Sequence, residues 1–307
     1  MIKTFSRASL VFAVAASVGA QQAKDPRAAI TVSTAWVADH LKDPDLVLLH
    51  VGEKPEYDAA HLPGARYVTL QDISVSDRTS PTGLVLEVPP PADLHDRLAA
   101  LGISDNSRIV VYFGKDWVSP TTRVLFTLDY AGLGAHGALL EGGMPQWKTE
   151  NRELTAEVPA PKTGNLSTLK TRSLVVDADW VRAHLGKPGI SVVDARDTVF
   201  YKGIRAGGRP PAEQRAGHVA GAKSVFFGSL FDDRNLLKPA SELRALFAAA
   251  GVQPGDTVVT YCHIGQQATA TLFAARSLGH PVLLYDGSFE DWSRRTTFPV
   301  DNPAAKP

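Results

Sequence analysis

Cys262 is the only cysteine among the 307 residues, so no internal disulfide can form. A thiol kept without a partner is either a small buried hydrophobe or a reactive group, and its neighbours decide between the two. Thr257–Tyr261 reads as a buried strand, Cys262-His263-Ile264-Gly265-Gln266-Gln267 as a short loop, and Ala268–Leu278 as a helix with Leu272, Ala275 and Leu278 on one face. A loop that curls from strand end into helix start can aim successive backbone N–H groups at one point, and the helix N-terminus adds partial positive charge. Such a site holds anions, whether a thiolate, a persulfide or a substrate oxyanion. It should lower the thiol's pKa from about 8.5. Gly265 lets the loop bend. His263, Ile264, Gly265, Gln266 and Gln267 are the candidate substrate contacts, His263 reading equally as an extra donor or as an inert exposed ring.

The elements that must position this loop occur twice. His61-Leu62-Pro63-Gly64-Ala65 is echoed by His218-Val219-Ala220-Gly221-Ala222, Leu101-Gly102-Ile103 with Ile109–Tyr112 by Ala250-Gly251-Val252 with Val258–Tyr261, and Glu141–Trp147 by Asp286–Trp292. Three landmarks repeated in one order mean a duplicated unit. In each half a helical stretch (34–42; 178–185) leads to an apolar strand, Leu46–Val51 or Ile190–Val193. A second helix (92–101; 240–250) follows, then the strand before the loop, another helix, and a strand (138–140; 282–285) ending at the second glycine motif. Strands without polar alternation, alternating with helices, imply α/β domains, each a doubly wound parallel sheet flanked by helices. In such a sheet the site lies outside the carboxyl ends of the strands, which is where Cys262 stands.

Residues 151–170, with Pro159, Pro161, Gly164 and Asn165, read as a linker between domains at 27–150 and 171–301. Lys3 and Arg7, the apolar run Leu10–Val18, and small residues at Val18 and Ala20 read as a signal peptide over residues 1–20. The mature chain is therefore expected near Gln21 and in the periplasm or outside the cell. Lysine plus arginine and aspartate plus glutamate both number 32, so no overall basic field points to nucleic acid or anionic membranes, and no later segment is long and apolar enough to span a bilayer. No cluster has metal-ligand spacing. A monomer is expected.

The two halves resemble rhodanese domains: His-Leu-Pro-Gly-Ala and His-Val-Ala-Gly-Ala stand at that family's Gly-His-Ile-Pro-Gly-Ala motif, Asp286–Trp292 at its C-terminal signature, and Tyr261-Cys262 with the following residues at its active-site loop. The resemblance implies a tandem sulfurtransferase with a catalytic C-terminal domain, Cys262 as nucleophile, no cofactor, and a small-molecule sulfur donor and acceptor. The corresponding N-terminal loop, residues 113–123, has no cysteine and is two residues longer (Tyr112 to Gly132 against Tyr261 to Gly279). That half is expected to form one wall of the cleft.

Two positions depart from the thiosulfate enzymes of the family. Their loop has a basic pair after the cysteine, here His263-Ile264, and an arginine six residues beyond the aspartate of the Asp-x-Arg motif, here Phe200. Lys202 is the nearest cation on that segment. Asp194 and Arg196 are expected as a buried pair holding the strand end, His61 and His218 as loop-fixing hydrogen-bonders, and Trp147 and Trp292 as packing residues. Thiosulfate is the expected donor, with 3-mercaptopyruvate or a non-catalytic sulfane-sulfur carrier as alternatives. A phosphatase or arsenate reductase would need an arginine six residues after the cysteine, where Ala268 stands.

Overall fold

In the computed structural model, which describes residues 25–305 apart from 81, 116–117, 161 and 210–211, each half carries a five-stranded parallel sheet. The expected leader at residues 1–20 lies outside the described residues. The N-terminal half runs β1 (Thr31–Val32), α1 (Thr34–His40), β2 (Leu46–Val51), α2 (Lys54–Ala59), β3 (Arg66–Val68), α3 (Pro91–Ala100), β4 (Arg108–Phe113), α4 (Val118–Tyr130), β5 (Gly137–Leu140) and α5 (Gly143–Thr149).

The second half repeats this series as β6 (Val175–Val176), α6 (Ala178–His184), β7 (Ile190–Asp194) and α7 (Thr198–Tyr201). It then inserts β8 (Gly208–Arg209) and β9 (Ala212–Glu213) before β10 (His218–Val219) and β11 (Lys223–Ser224). The series closes with α8 (Ala240–Ala249), β12 (Thr257–Tyr261), α9 (Gln267–Ser277), β13 (Val282–Tyr285), α10 (Ser288–Arg294) and β14 (Val300–Asp301).

The strand orders are β1-β5-β4-β2-β3 and, in matching sense, β6-β13-β12-β7-β11. In each sheet the chain changes direction between the second and fourth strands of the order of travel, so a crevice opens at the carboxyl ends of β2 and β4, or of β7 and β12. Register places Asp194 beside Tyr261, and Cys262 follows at the mouth of that crevice. The strand sequences explain why both sheet faces are covered. Leu48, Val110 and Leu140 face Val37 of α1 and Met144 and Trp147 of α5, whereas Leu49, Ile109 and Val111 face α3 and α4.

That second face is shared: Val193, Val258, Phe247 and Phe273 of the other half join the same cluster. The halves meet through α4 and α9, which pair equivalent residues. The Thr122 and Thr269 hydroxyls lie 2.9 Å apart, and each donates to the carbonyl three residues earlier, Ser119 or Gln266. Arg276 bonds Asp129, its counterpart in α4, at 2.7 Å.

Several strands have the bounds read from sequence (Leu46–Val51, Thr257–Tyr261, Val282–Tyr285). The helix expected at Ala268–Leu278 instead starts at Gln267, so Gln267 belongs to its first turn. Residues 151–170 form no helix or multi-residue strand among those described, only a bridge between Thr155 and His61. The Arg205–Arg215 stretch contains the β8–β9 hairpin. No helix among the described residues is long and apolar enough to cross a membrane.

Candidate active site

The loop after β12 closes around a single atom. The backbone N–H groups of Ala268, Ile264, Gly265 and Gln267 all donate toward the Cys262 sulfur, as the loop geometry led one to expect. Gly265 has φ +81°, and a Cβ there would lie 2.8 Å from the Asp286 carbonyl oxygen, so only glycine makes this turn. The expected depression of the thiol's pKa is not the net result. Cys262 has no exposed surface and sits among Phe126, Leu174, Ala195, Ala268, Leu272 and Leu284. Burial pushes the thiol up, and the four amides pull against it without prevailing. The sequence pattern exposes the donors but not the apolar wall behind the sulfur.

The strand ends are locked to this loop. Arg196 lays Nε and Nη2 on the Asp194 carboxylate (2.6 Å for the shortest) and donates from Nη2 to the Gly217 carbonyl at 2.7 Å. Both residues are buried, and the pair ties the end of β7 to the segment before β10. Asp194 also accepts from the Tyr261 hydroxyl at 2.7 Å, fixing the residue before the cysteine. His218 stacks on Tyr201 at 3.7 Å and bonds its carbonyl through Nδ1, and His61 does the same with Tyr57. The start of α10 holds the loop from the other side. Ser288 Oγ accepts from the Cys262 N–H, and Phe289 and Glu290 donate to the carbonyls of Cys262 and His263. Trp292, like Trp147, is buried and donates to a carbonyl.

The sequence matches the Rhodanese-like domain family twice, over residues 33–150 and 177–295. The chain belongs to the rhodanese family of sulfurtransferases. It is 31% identical over 275 residues to the probable 3-mercaptopyruvate sulfurtransferase of Pseudomonas aeruginosa, covering 86% of this chain and 95% of that one. It is 28% identical to the thiosulfate sulfurtransferase of the same organism, covering 89% and 97%. The solved structure of YnjE superposes with a TM-score of 0.81 over 92% of this chain and 70% of that one, at 22% identity, a likeness of fold.

In this tandem rhodanese the remaining sequence candidates part company. Ile264 and Gly265 contribute loop amides and Gln267 the first turn of α9. Gln266 is turned toward the other half, donating to Ser119 Oγ at 3.2 Å, so its side chain serves the domain interface rather than the expected substrate contact. Lys202 is exposed beside α7, and among the described residues no hydrogen bond or ion pair ties its ammonium to the loop. His263 is half-buried, its ring edge-on to Phe200 at 4.6 Å. Burial, with Arg196 adding to it, pushes this imidazole down to about 4, so it is neutral at physiological pH and supplies no cation.

Sequence reasoning missed what the N-terminal half brings. Arg123 of α4 is fully buried and donates to Asp286 at 2.5 Å, to the Gly265 carbonyl at 3.3 Å, and to the Leu86 carbonyl. Residues 83–88 strap across the C-terminal signature: the Val88 N–H bonds Asp286, the Val85 N–H bonds Glu290, and Arg294 bonds the Gly83 carbonyl. Within that strap, burial and then Asp286 push the Glu87 carboxyl up to about 8. One signal was available for Arg123, a lone arginine in the otherwise uncharged stretch Val118–Leu128, since a buried cation must find a partner.

Proposed function

We propose that this rhodanese moves sulfane sulfur from thiosulfate, through a persulfide on Cys262, to a thiol or cyanide. The convergence of four backbone amides on one thiol carries this reading. The Cys262 thiolate attacks the outer sulfur of the donor. The donor's S–S bond breaks, sulfite leaves with the bonding pair, and the sulfane sulfur stays on Sγ. An acceptor nucleophile then attacks that outer sulfur, and the bond from the outer sulfur to Sγ breaks with its pair on Cys262. Sulfur moves at a constant oxidation level, so no redox partner enters. The preorganised amides stabilise the negative charge at each stage without reorganising.

Thiosulfate is favoured because an amide cradle receives anionic oxygens as well as sulfur, and because a leader over residues 1–20 would export the chain to where an inorganic donor is at hand. The same leader supports a periplasmic or secreted location, for which an N-terminus near Gln21 on the cell-derived protein is the check. The 31% identical relative keeps 3-mercaptopyruvate as the second reading. Initial rates with both donors side by side decide between them. A higher kcat/KM for thiosulfate is expected. The reverse order would change the donor, and persulfide loading without turnover would make the chain a carrier.

A further inference from the structure

The catalytic half contains an insertion that its counterpart lacks. Tyr57 and His61 stand 4 residues apart, whereas their counterparts Tyr201 and His218 stand 17 apart. The added chain forms the β8–β9 hairpin and places Gln214, only 6% exposed, against the residue next to Cys262. Gln214 holds His263 at two points. Its Nε2 donates to the His263 carbonyl at 3.1 Å, and its Oε1 lies 2.9 Å from His263 Nδ1. The first bond assigns the amide, so Oε1 must accept and Nδ1 must carry the hydrogen.

The hairpin is shaped for this clamp. A Cβ on Gly207 would lie 2.5 Å from both Gln214 Oε1 and His263 Nδ1, and 2.6 Å from Cε1. With the Nδ1–Cε1 edge walled off and Phe200 against the ring, the open edge of this half-buried imidazole is the one bearing Nε2. Among the described residues nothing bonds that nitrogen. His263 itself follows Cys262 in the loop at the carboxyl end of β12. Because the imidazole is neutral at physiological pH, Nε2 offers a lone pair there rather than a proton.

We propose that His263, clamped by Gln214, is the specificity residue of the acceptor half-reaction: its Nε2 accepts a hydrogen bond from an acceptor that still carries its proton, which makes a neutral thiol the preferred acceptor class over an unprotonated anion. The inference rests on the Cys262 persulfide reading. The thiol sulfur supplies the pair for the new S–S bond, and the bond from Cys262 to the outer sulfur breaks with its pair on Sγ. The thiol's proton ends on Cys262, whose burial favours the protonated form. No oxidant or reductant is consumed.

The test preloads the full chain with persulfide, quantified by intact mass. It then measures single-turnover transfer to 2-mercaptoethanol and to sulfite at mildly alkaline pH, where the thiol keeps its proton and sulfite has lost its second. His263→Phe retains a ring and removes the lone pair, and the thiol-to-sulfite rate ratio should fall about tenfold, the worth of one hydrogen bond. Gln214→Leu, which frees the ring, should lower the ratio in the same direction by less. A ratio that stays constant in both variants, even with both rates reduced, makes His263 a packing residue and overturns the proposal. A wild-type chain that forms no persulfide removes the sulfur-transfer reading itself, and this inference with it.

Discussion

The two halves share one backbone plan and fill it with opposite chemistry. By register His50 stands beside Tyr112 where Asp194 stands beside Tyr261. Gly52 replaces Arg196, and Phe113 replaces Cys262. Gly143 (φ +54°) replaces Ser288 (φ +51°). These exchanges are coupled by space. A Cβ on Gly143 would lie 2.7 Å from the Phe113 ring, and one on Gly52 would lie 2.8 Å from His50 Nε2. In the C-terminal half a buried ion pair, a thiol and a serine surround the loop whose amides point at Sγ. In the other half a phenyl ring fills that space, and burial, followed by His61 and Lys148, pushes His50 down to about 4. Duplication preserved the support, such as the Tyr57–His61 and Tyr201–His218 stacks, and let the centre diverge. The N-terminal half acts on the site from outside it, through Arg123 and the 83–88 strap.

The largest effect expected from this asymmetry is at its centre. Cys262→Ser should lower sulfur transfer by at least about a thousandfold, since the proposed persulfide forms on this residue, while thermal melting stays close to wild type. Activity above about a few per cent would place the chemistry elsewhere. Arg123→Met comes next. It strips Asp286 of its guanidinium in a buried setting, where loss of one partner typically costs about 3–5 kcal/mol, and denaturant midpoints should report the loss. Ala270 holds the matching position in α9, so the contact has no counterpart to compensate. An unchanged midpoint would mean that the strap and loop hold without it.

Phe113→Cys asks whether a thiol alone converts one half into the other. Truncating this buried ring should cost about 2–4 kcal/mol. In a Cys262→Ser background it should restore no cyanide-dependent turnover, because Gly52 and Gly143 leave the ion pair and the serine missing. Recovered turnover would break the comparison. The smallest effect concerns the donor. Ile264→Lys should lower the KM for thiosulfate severalfold, and the gain should shrink as salt screens the added charge. A KM indifferent to this substitution would argue against a dianionic donor.

How much of this was legible in the sequence follows the range of the interactions. Apolar runs such as Thr257–Tyr261 declare their strands, because a parallel sheet covered on both faces leaves no polar alternation. The cysteine loop and the Asp194–Arg196 pair were readable because their partners lie within a few residues. Gln214 grips His263 across 49 positions and Arg123 reaches Asp286 across 163. Such contacts leave no local spacing to read. The thiol's pKa was misjudged for the same reason, since Phe126 and Leu174, part of the apolar wall behind it, come from distant stretches of the chain.

The central claim, that the asymmetry between the halves is the asymmetry between a sulfur-carrying thiol and a plugged site, is tested most directly by intact mass. Wild-type protein mixed with thiosulfate and no acceptor should gain the mass of one sulfur atom, lose it on adding cyanide, and show no gain when Cys262 is replaced by serine. Steady turnover without that adduct, or an adduct that survives the loss of Cys262, would contradict the account.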